Sequence, residues 1–293
     1  MKKLLALVLF LVSPVFADTH VWDGSADDGN WATAANWDVA AVPIDGDDVI
    51  IDAGDEAIDA GLDQSLIDLT SLTIGPNFLY GIGVSTSTRL EIDTAKLVIN
   101  GGLDDNIWIE DGSVTSWDEV IIGSVGASGT GTCYLDGVIT TMAIHKGKVE
   151  LLGTATTIYL DATLGNPINA TLNTGATITD LYVTDGNVNH TAGTITNVYY
   201  DNGDYVCTAG TITNLYQRGG ELQWWTTTNM TTAMIFGGIF DASGSASART
   251  ITTLTTHYAA AVNLNNVVGN IALTTTKLWA GTVTWPPGSG PDY

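Results

Sequence analysis

The sequence predicts an all-β fold, a single-stranded parallel β-helix (β-solenoid) with a tryptophan-rich cap at its amino-terminal end. A gapless 17-residue repeat begins at Ile178, Ile195 and Ile212. Its residues are mostly Thr, Val, Ile and Tyr punctuated by Gly and Asn, which is typical of strands rather than helices. A unit this short cannot bury an apolar face alone, so successive units must stack as coils. The chirality of β crossovers favours a right-handed coil.

Each repeat also predicts a turn and a second strand. A glycine follows each isoleucine by eight residues and an apolar residue comes two later, at Gly186 and Val188, Gly203 and Tyr205, and Gly220 and Leu222. The pattern returns at Gly237 and Ile239, and Met230 to Gly238 keeps the same step after a slip of one residue. An insertion at 242–249 is expected to form a surface loop.

The first strand of each repeat should turn a corner. Ile195 and Val198 are three residues apart, so both can point inward only if the chain bends between them. We expect Asn197 and Asn214 at this corner in a left-handed backbone conformation, with their amides bonded along the rod in a ladder that ends at Asp180. The tyrosines that follow should form an outer stripe, at Tyr182, Tyr199 and Tyr216, which we interpret as packing rather than binding.

Four regions are predicted along the chain. Residues 1–17 resemble a secretory signal peptide, because basic Lys2 and Lys3 precede an apolar stretch and the small-residue site at 15–17. Residues 18–60 form the acidic cap, 61–285 the β-solenoid and 286–293 a disordered tail. No later apolar run is long enough to cross a bilayer. We therefore expect a protein that is secreted or held at the cell surface and does not span the membrane.

The charge of the chain excludes nucleic-acid partners. Nine basic residues stand against 32 acidic ones, a net charge of −23. A surface this acidic repels a polyanion. Fourteen of the acids lie between Asp18 and Asp68, a stretch with no lysine or arginine. The two cysteines, Cys133 and Cys207, are about four coils apart, too far for a disulfide, so we expect two free thiols.

Two candidate sites lie in the acidic cap. Trp22, Trp31 and Trp37 are spaced with Gly and Asn, and we expect their indoles either to cover the open end of the rod or to stack on carbohydrate. Three carboxylates crowd one turn and strand, those of Asp45, Asp47 and Asp48. Because Ca²⁺ prefers hard oxygen ligands, they are candidate calcium ligands, and Ca²⁺ is the only cofactor considered.

The same segment carries a resemblance. The pattern Val-Trp-Asp-Gly at 21–24, Asn-Trp at 30–31 and 36–37, Val-Pro at 42–43 and Gly-Asp-Asp-Val-Ile-Ile at 46–51 is similar to the amino-terminal module of large, secreted, repeat-rich bacterial surface proteins. Related stretches occur in structural proteins of environmental bacteriophages. The resemblance implies a module that precedes Thr/Gly-rich β-solenoid repeats. It implies no catalytic residues.

Motifs for catalysis are sparse. A pectate-lyase-like mechanism needs calcium carboxylates and a basic residue, for which Lys146, Lys148 and Arg218 are the candidates. A polygalacturonase-like site would need several motifs, of which only Asp104-Asp105 is present. We therefore predict a secreted structural or adhesive surface protein without catalytic activity, whose partner is a cell-surface or matrix polysaccharide or protein. The alternatives are a polysaccharide lyase or glycoside hydrolase of the parallel β-helix type, and a phage tail or virion structural protein.

Overall fold

A computed structural model of the protein describes residues 17–100, 105–112, 116–123, 131–162, 170–244, 247–265 and 271–285. Two sequence predictions fall outside these residues: the signal peptide, apart from Ala17, and the tail at 286–293. The described residues form strands almost throughout, and their one helix is a 3-10 turn over Ala34–Asn36. The all-β prediction is confirmed.

The described strands number 21, and every pairing between them is parallel. In chain order they are β1 (Thr19–Trp22), β2 (Asp48–Ile51), β3 (Asp63–Ile74), β4 (Leu90–Ile99), β5 (Ile107–Glu110), β6 (Trp117–Ile122), β7 (Thr132–Asp136), β8 (Val138–Ile144), β9 (Gly147–Leu151), β10 (Thr154–Asp161), β11 (Ala170–Thr174), β12 (Thr177–Asp185), β13 (Asn187–His190), β14 (Thr194–Tyr200), β15 (Asp204–Cys207), β16 (Thr211–Gln217), β17 (Glu221–Trp224), β18 (Met230–Asp241), β19 (Arg249–Asn263), β20 (Ile271–Leu278) and β21 (Thr282–Thr284).

These strands stack in two ladders. The first ladder joins β1, β2, β3, β4, β6, β8, β10, β12, β14, β16, β18, β19 and β20. The second runs from the start of β4 through β5, β7, β9, β11, β13, β15 and β17, and then through the ends of β18 and β19 to β21. From β4 onward each coil thus gives one strand or strand end to each ladder, as in the predicted parallel β-helix. The right-handed sense of the coil stays a prediction.

The core is built by stacking equivalent residues of successive coils. Ile178, Ile195 and Ile212 are register partners, and all three are fully buried, as the repeat predicts. In the second ladder Cys207 lies between His190 and Trp224, also as predicted. Both cysteines are free and buried. Burial raises the pKa of the Cys207 thiol to about 12, so this sulfur is unreactive at neutral pH.

The corner of each coil is confirmed, but the expected backbone conformation is wrong. Ile195 and Val198 are both buried, so the chain bends between them. The amide of Asn214 donates to Asn197 Oδ1 at 3.0 Å, and the amide of Asn197 donates to Asp180 Oδ1 at 2.8 Å, which is the predicted ladder. Neither asparagine is left-handed: Asp27 and Ala40 are the only described non-glycine residues with positive φ. A bend within an extended strand suffices.

Glycine after the corner is required by the close approach of successive coils. Gly203 has a φ of 102°, and a Cβ there would lie 2.0 Å from the carbonyl oxygen of Gly186 in the preceding coil. The next repeat slips by one residue, because Leu222 pairs with Phe240 and the left-handed glycine is Gly238. Phe240 is buried and Ile239 is 44% exposed, so the second strand of this coil follows the shifted spacing from Met230 to Gly238.

The insertion at 242–249 is not simply a surface loop. Its ends, Ala242 and Arg249, are both buried. The Arg249 guanidinium lies 4.2 Å from the centre of the Trp224 ring and donates to the carbonyl oxygens of Thr226 and Ala242. Burial lowers the pKa of Arg249 to about 10. The insertion therefore brings a charged side chain into the core, where an aromatic face and two carbonyls hold it.

The inward stacking of the isoleucine column can be tested by truncation. We expect Ile195→Ala to lower the free energy of unfolding by about 2–5 kcal/mol, because it leaves a cavity between two coils. Thr196→Ser, at the neighbouring outward position, should change it by less than about 0.5 kcal/mol. Urea denaturation followed by circular dichroism measures both. Equal effects of the two substitutions would contradict the assigned faces.

Buried His190 should make the protein less stable in acid. Burial lowers its pKa to about 4, whereas the unfolded chain protonates histidine near 6.5. The unfolded state thus binds the proton first, and stability is lost as the pH falls from 6.5 towards 4, by about 3 kcal/mol in all. We expect His190→Gln to flatten this part of the stability–pH curve, measured by urea denaturation at each pH. An unchanged slope would contradict the assignment.

Candidate glycan-binding face

A row of stacked tyrosines marks one outer face of the first ladder. We name it the tyrosine column; its members are Tyr159, Tyr182, Tyr199 and Tyr216. Successive ring centres are 5.1, 4.6 and 5.1 Å apart, with interplanar angles of 16°, 8° and 10°. The parallel register causes this, because it sets each ring above the equivalent ring of the preceding coil. The column extends the predicted stripe by one member, Tyr159.

A second row, which we name the mixed column, lies two residues further along each coil. Its members are Asp161, Thr184, Asp201, Arg218, Phe236, His257 and Trp279. They contact one another along the rod: the Thr184 hydroxyl donates to Asp161 at 3.0 Å, and the rings of Phe236 and His257 stack at 4.6 Å. Because alternate residues of a strand share a face, the two columns lie side by side, and the residue between them points into the core.

The two columns form the walls of a groove. A cavity of about 330 Å³ lies between them, lined by Tyr199, Tyr216, Arg218 and Phe236. Phe236 is 42% exposed, and Trp279, further along the mixed column, is 70% exposed. Aromatic rings and hydrogen-bonding groups therefore meet in one open cavity, which spans the neighbouring coils of Tyr199, Tyr216 and Phe236.

Neighbouring groups fix the ion pairing and the protonation of the polar side chains in the groove. Arg218 donates to both carboxylate oxygens of Asp201, from Nε at 2.6 Å and from Nη2 at 3.0 Å, so its charge is balanced within the wall. Desolvation raises the pKa of Tyr182 and Tyr199, and the nearby Asp180 and neighbouring phenols raise it further. These phenols therefore remain protonated and can donate hydrogen bonds at neutral pH.

Sequence reasoning identified only part of this face. The tyrosine column was predicted because Tyr recurs in the 17-residue repeat, although we interpreted it as packing. The mixed column was missed, since its residues differ from coil to coil and leave no repeat in the sequence. The sequence signal that could have identified the mixed column is position: each of its members follows the tyrosine-column position of its coil by two residues.

The tryptophans predicted to bind carbohydrate are inside the protein. Trp22, Trp31 and Trp37 are 0%, 0% and 2% exposed. Trp37 packs edge-on against both other indoles, with centres 5.2 and 4.9 Å apart, and its Nε1 donates to the Trp31 carbonyl. Stacking on a sugar needs an open ring face, so the carbohydrate role of these three indoles is wrong for this structure. The alternative role, as a cap over the end of the rod, agrees with their burial.

Backbone contacts complete this cap. The Asp38 amide donates to the Val21 carbonyl, and the Val21 amide donates to Asp38 Oδ1, so residues after the 3-10 turn cover the outer edge of β1. Capping protects an edge strand from pairing with another chain. β1 and β2, both within the predicted cap at 18–60, are already members of the first ladder.

The predicted calcium ligands do not assemble into a site. Asp47 is buried, its Oδ2 lies 3.0 Å from His20 Nε2, and its oxygens accept the amides of Asp18 and Ile44. Asp45 accepts the Asp68 amide, and Asp48 accepts the Ser71 hydroxyl. No group of three or more His, Cys, Asp or Glu side chains is placed to hold a metal in the described part of the chain. These carboxylates bind protein donors instead.

The candidate catalytic residues are also kept apart. Lys148 lies in β9 of the second ladder, whereas Arg218 follows β16 of the first and is paired with Asp201. Asp105 is exposed, and Asp104 lies outside the described residues.

Within the described ranges, no helix is both long and apolar enough to cross a membrane.

The different roles of Asp47 and Asp45 in the cap can be measured. We expect Asp47→Ala to lower the free energy of unfolding by about 3–5 kcal/mol, because it leaves buried His20 and two backbone amides without their acceptor. Asp45→Ala, with a single amide partner, should cost about 1 kcal/mol. Thermal and urea denaturation with and without millimolar Ca²⁺ provide the readout. If both substitutions lowered the free energy of unfolding equally, and only when Ca²⁺ is present, the predicted metal site would be supported.

Comparison of the chain with protein-family models, with curated proteins and with solved structures finds no match. The resemblance to repeat-rich surface proteins therefore stays a prediction, and the site is interpreted from its geometry alone.

Proposed function

We propose that the protein is a secreted, non-catalytic structural rod that attaches to polysaccharide at the cell surface or in its matrix. The observation that carries this proposal is the groove between the tyrosine column and the mixed column. Secretion rests on the predicted signal peptide at 1–17. The phage and virion alternative has no specific observation in its favour.

The chemistry of the groove suits a sugar. Sugar rings have apolar C–H faces and hydroxyl rims, so they pair with aromatic surfaces that carry polar groups nearby. Phe236 supplies apolar surface, the phenols of Tyr199 and Tyr216 supply donors, and Arg218 with Asp201 supplies a donor and an acceptor set. This combination favours a glycan over an apolar peptide, which would leave those polar groups unpaired.

The same geometry supports binding without hydrolysis. Glycosidases place two free carboxyl groups on either side of the bond that breaks. In the groove walls, Asp201 is held by Arg218 and Asp161 accepts the Thr184 hydroxyl. Carboxylates that are engaged in this way are available as hydrogen-bond acceptors at the rim but are poor candidates for an acid–base pair.

Binding to insoluble polysaccharides tests the proposal. We expect the protein to sediment with at least one of cellulose, chitin and mannan, and to release no soluble sugar from it. Phe236→Ala should weaken binding about tenfold, because one aromatic contact contributes roughly 1 kcal/mol or more. Tyr199→Ala should act likewise, since it also breaks the stack.

Tyr134→Ala is the matched control. Tyr134 is stacked on Trp108 at 3.5 Å in the second ladder, so this variant loses a stacked tyrosine without touching the groove. It should bind as the wild type does. Equal loss in all three variants, or sedimentation with no polysaccharide, would overturn the proposed function, and release of soluble sugar would overturn its non-catalytic part.

A further inference from the structure

We infer that the groove takes a neutral, extended glycan chain that lies along the rod axis, with one sugar residue to each coil. The inference rests on the proposed function and specifies its ligand. It combines three features of the groove: the spacing of its repeating groups, the direction of its walls and the balance of its charges.

The spacing of the tyrosine column matches an extended chain. Its ring centres repeat at 4.6–5.1 Å, close to the roughly 4.8 Å between neighbouring strands. The advance per sugar in an extended β-1,4-linked pyranose chain is of the same order as this strand spacing. Because neighbouring sugars of such a chain are turned over relative to each other, alternate phenols can meet equivalent hydroxyls, and the phenols between them meet hydroxyls of the opposite edge.

The two walls of the groove fix the direction of the bound glycan. Both columns run along the axis, and only one inward-pointing residue, for example Tyr200 or Gln217, separates them on each coil. Residues two apart on a strand are about 6.6 Å apart, so the groove is a narrow axial track. A chain that crossed the rod would have to pass over both walls and would meet only one coil.

The charges favour a neutral glycan over a uronate. Asp161, Asp180 and Asp201 lie in or beside the walls, and the cation of the cavity, Arg218, is already paired with Asp201. The rest of the molecule adds to this field, with a net charge of −23. A carboxylate on every sugar would therefore be repelled at each coil, whereas neutral hydroxyls can bond to the same oxygens.

Calorimetric titration with oligosaccharides tests all three features. The probes are cello-oligosaccharides from the disaccharide to the hexasaccharide, β-1,4-mannuronate oligomers of the same lengths, and maltohexaose, which is neutral but curled. We expect affinity for the cello series to rise with length and to level off near the tetrasaccharide. At low salt the mannuronate hexamer should bind about tenfold more weakly or worse, a gap that narrows as salt screens the charges. Maltohexaose should also bind more weakly.

Two variants isolate the role of charge. Asp201→Asn frees Arg218 and should raise the affinity for mannuronate relative to cellohexaose several-fold. Asp204→Asn makes the same change in net charge in the second ladder, outside the groove, and should leave that ratio unchanged. An equal shift in both variants would mean that only the overall charge matters.

The outcomes separate the two proposals. Binding that does not depend on length, or mannuronate binding as tight as cellohexaose binding, would overturn this inference and leave the proposed function standing. Absence of binding to every oligosaccharide and to every insoluble polysaccharide would overturn the proposed function itself.

Discussion

Hydrogen bonding between parallel strands sets each residue of a coil directly above its equivalent in the preceding coil. Like positions therefore form axial columns, and each column must be stable as a stack. Apolar columns bury one another, phenols stack, and amides bond in a chain. Carboxylates in one column repel one another, and in two columns a basic residue of the neighbouring coil pairs with the acid: Lys96 with Glu119, and Arg218 with Asp201. There are exceptions, because several acids are register partners of other acids: Glu91 of Glu110, Glu110 of Asp136, and Asp204 of Glu221.

The core also contains columns whose residues differ from coil to coil. His190, Cys207 and Trp224 follow one another in the second ladder, and Arg249 covers the Trp224 ring. The Cys207 sulfur and the Tyr205 hydroxyl both lie near His190 Nδ1, at 3.5 and 3.2 Å. Burial keeps the histidine neutral and the thiol protonated, so the cluster carries its only formal charge on the arginine.

Sequence reasoning worked where one coil copies another and failed where partners are unique. The isoleucine column, the corner and the amide ladder follow from the 17-residue step, since register converts a repeat into contacts. The burial of Trp22 and Asp47 does not follow, because their surroundings come from residues elsewhere in the cap that no repeat relates. The mixed column is partly predictable. Its position follows from that of the tyrosines, but its composition does not, because residues such as Phe236 and Arg218 differ from coil to coil.

Register is thus the property on which the core and the groove both depend, and disulfide trapping measures it most directly. Thr194 and Thr211 are register partners, and strands about 4.8 Å apart place their Cα atoms within disulfide range. We expect the pair Thr194→Cys with Thr211→Cys to form an intramolecular disulfide in the folded protein under mild oxidation, detected by mass spectrometry of the digest. The displaced pair Thr194→Cys with Thr213→Cys, about 8 Å apart, should not form one. Cross-linking of the displaced pair in preference to the aligned pair would contradict the 17-residue register and the groove built on it.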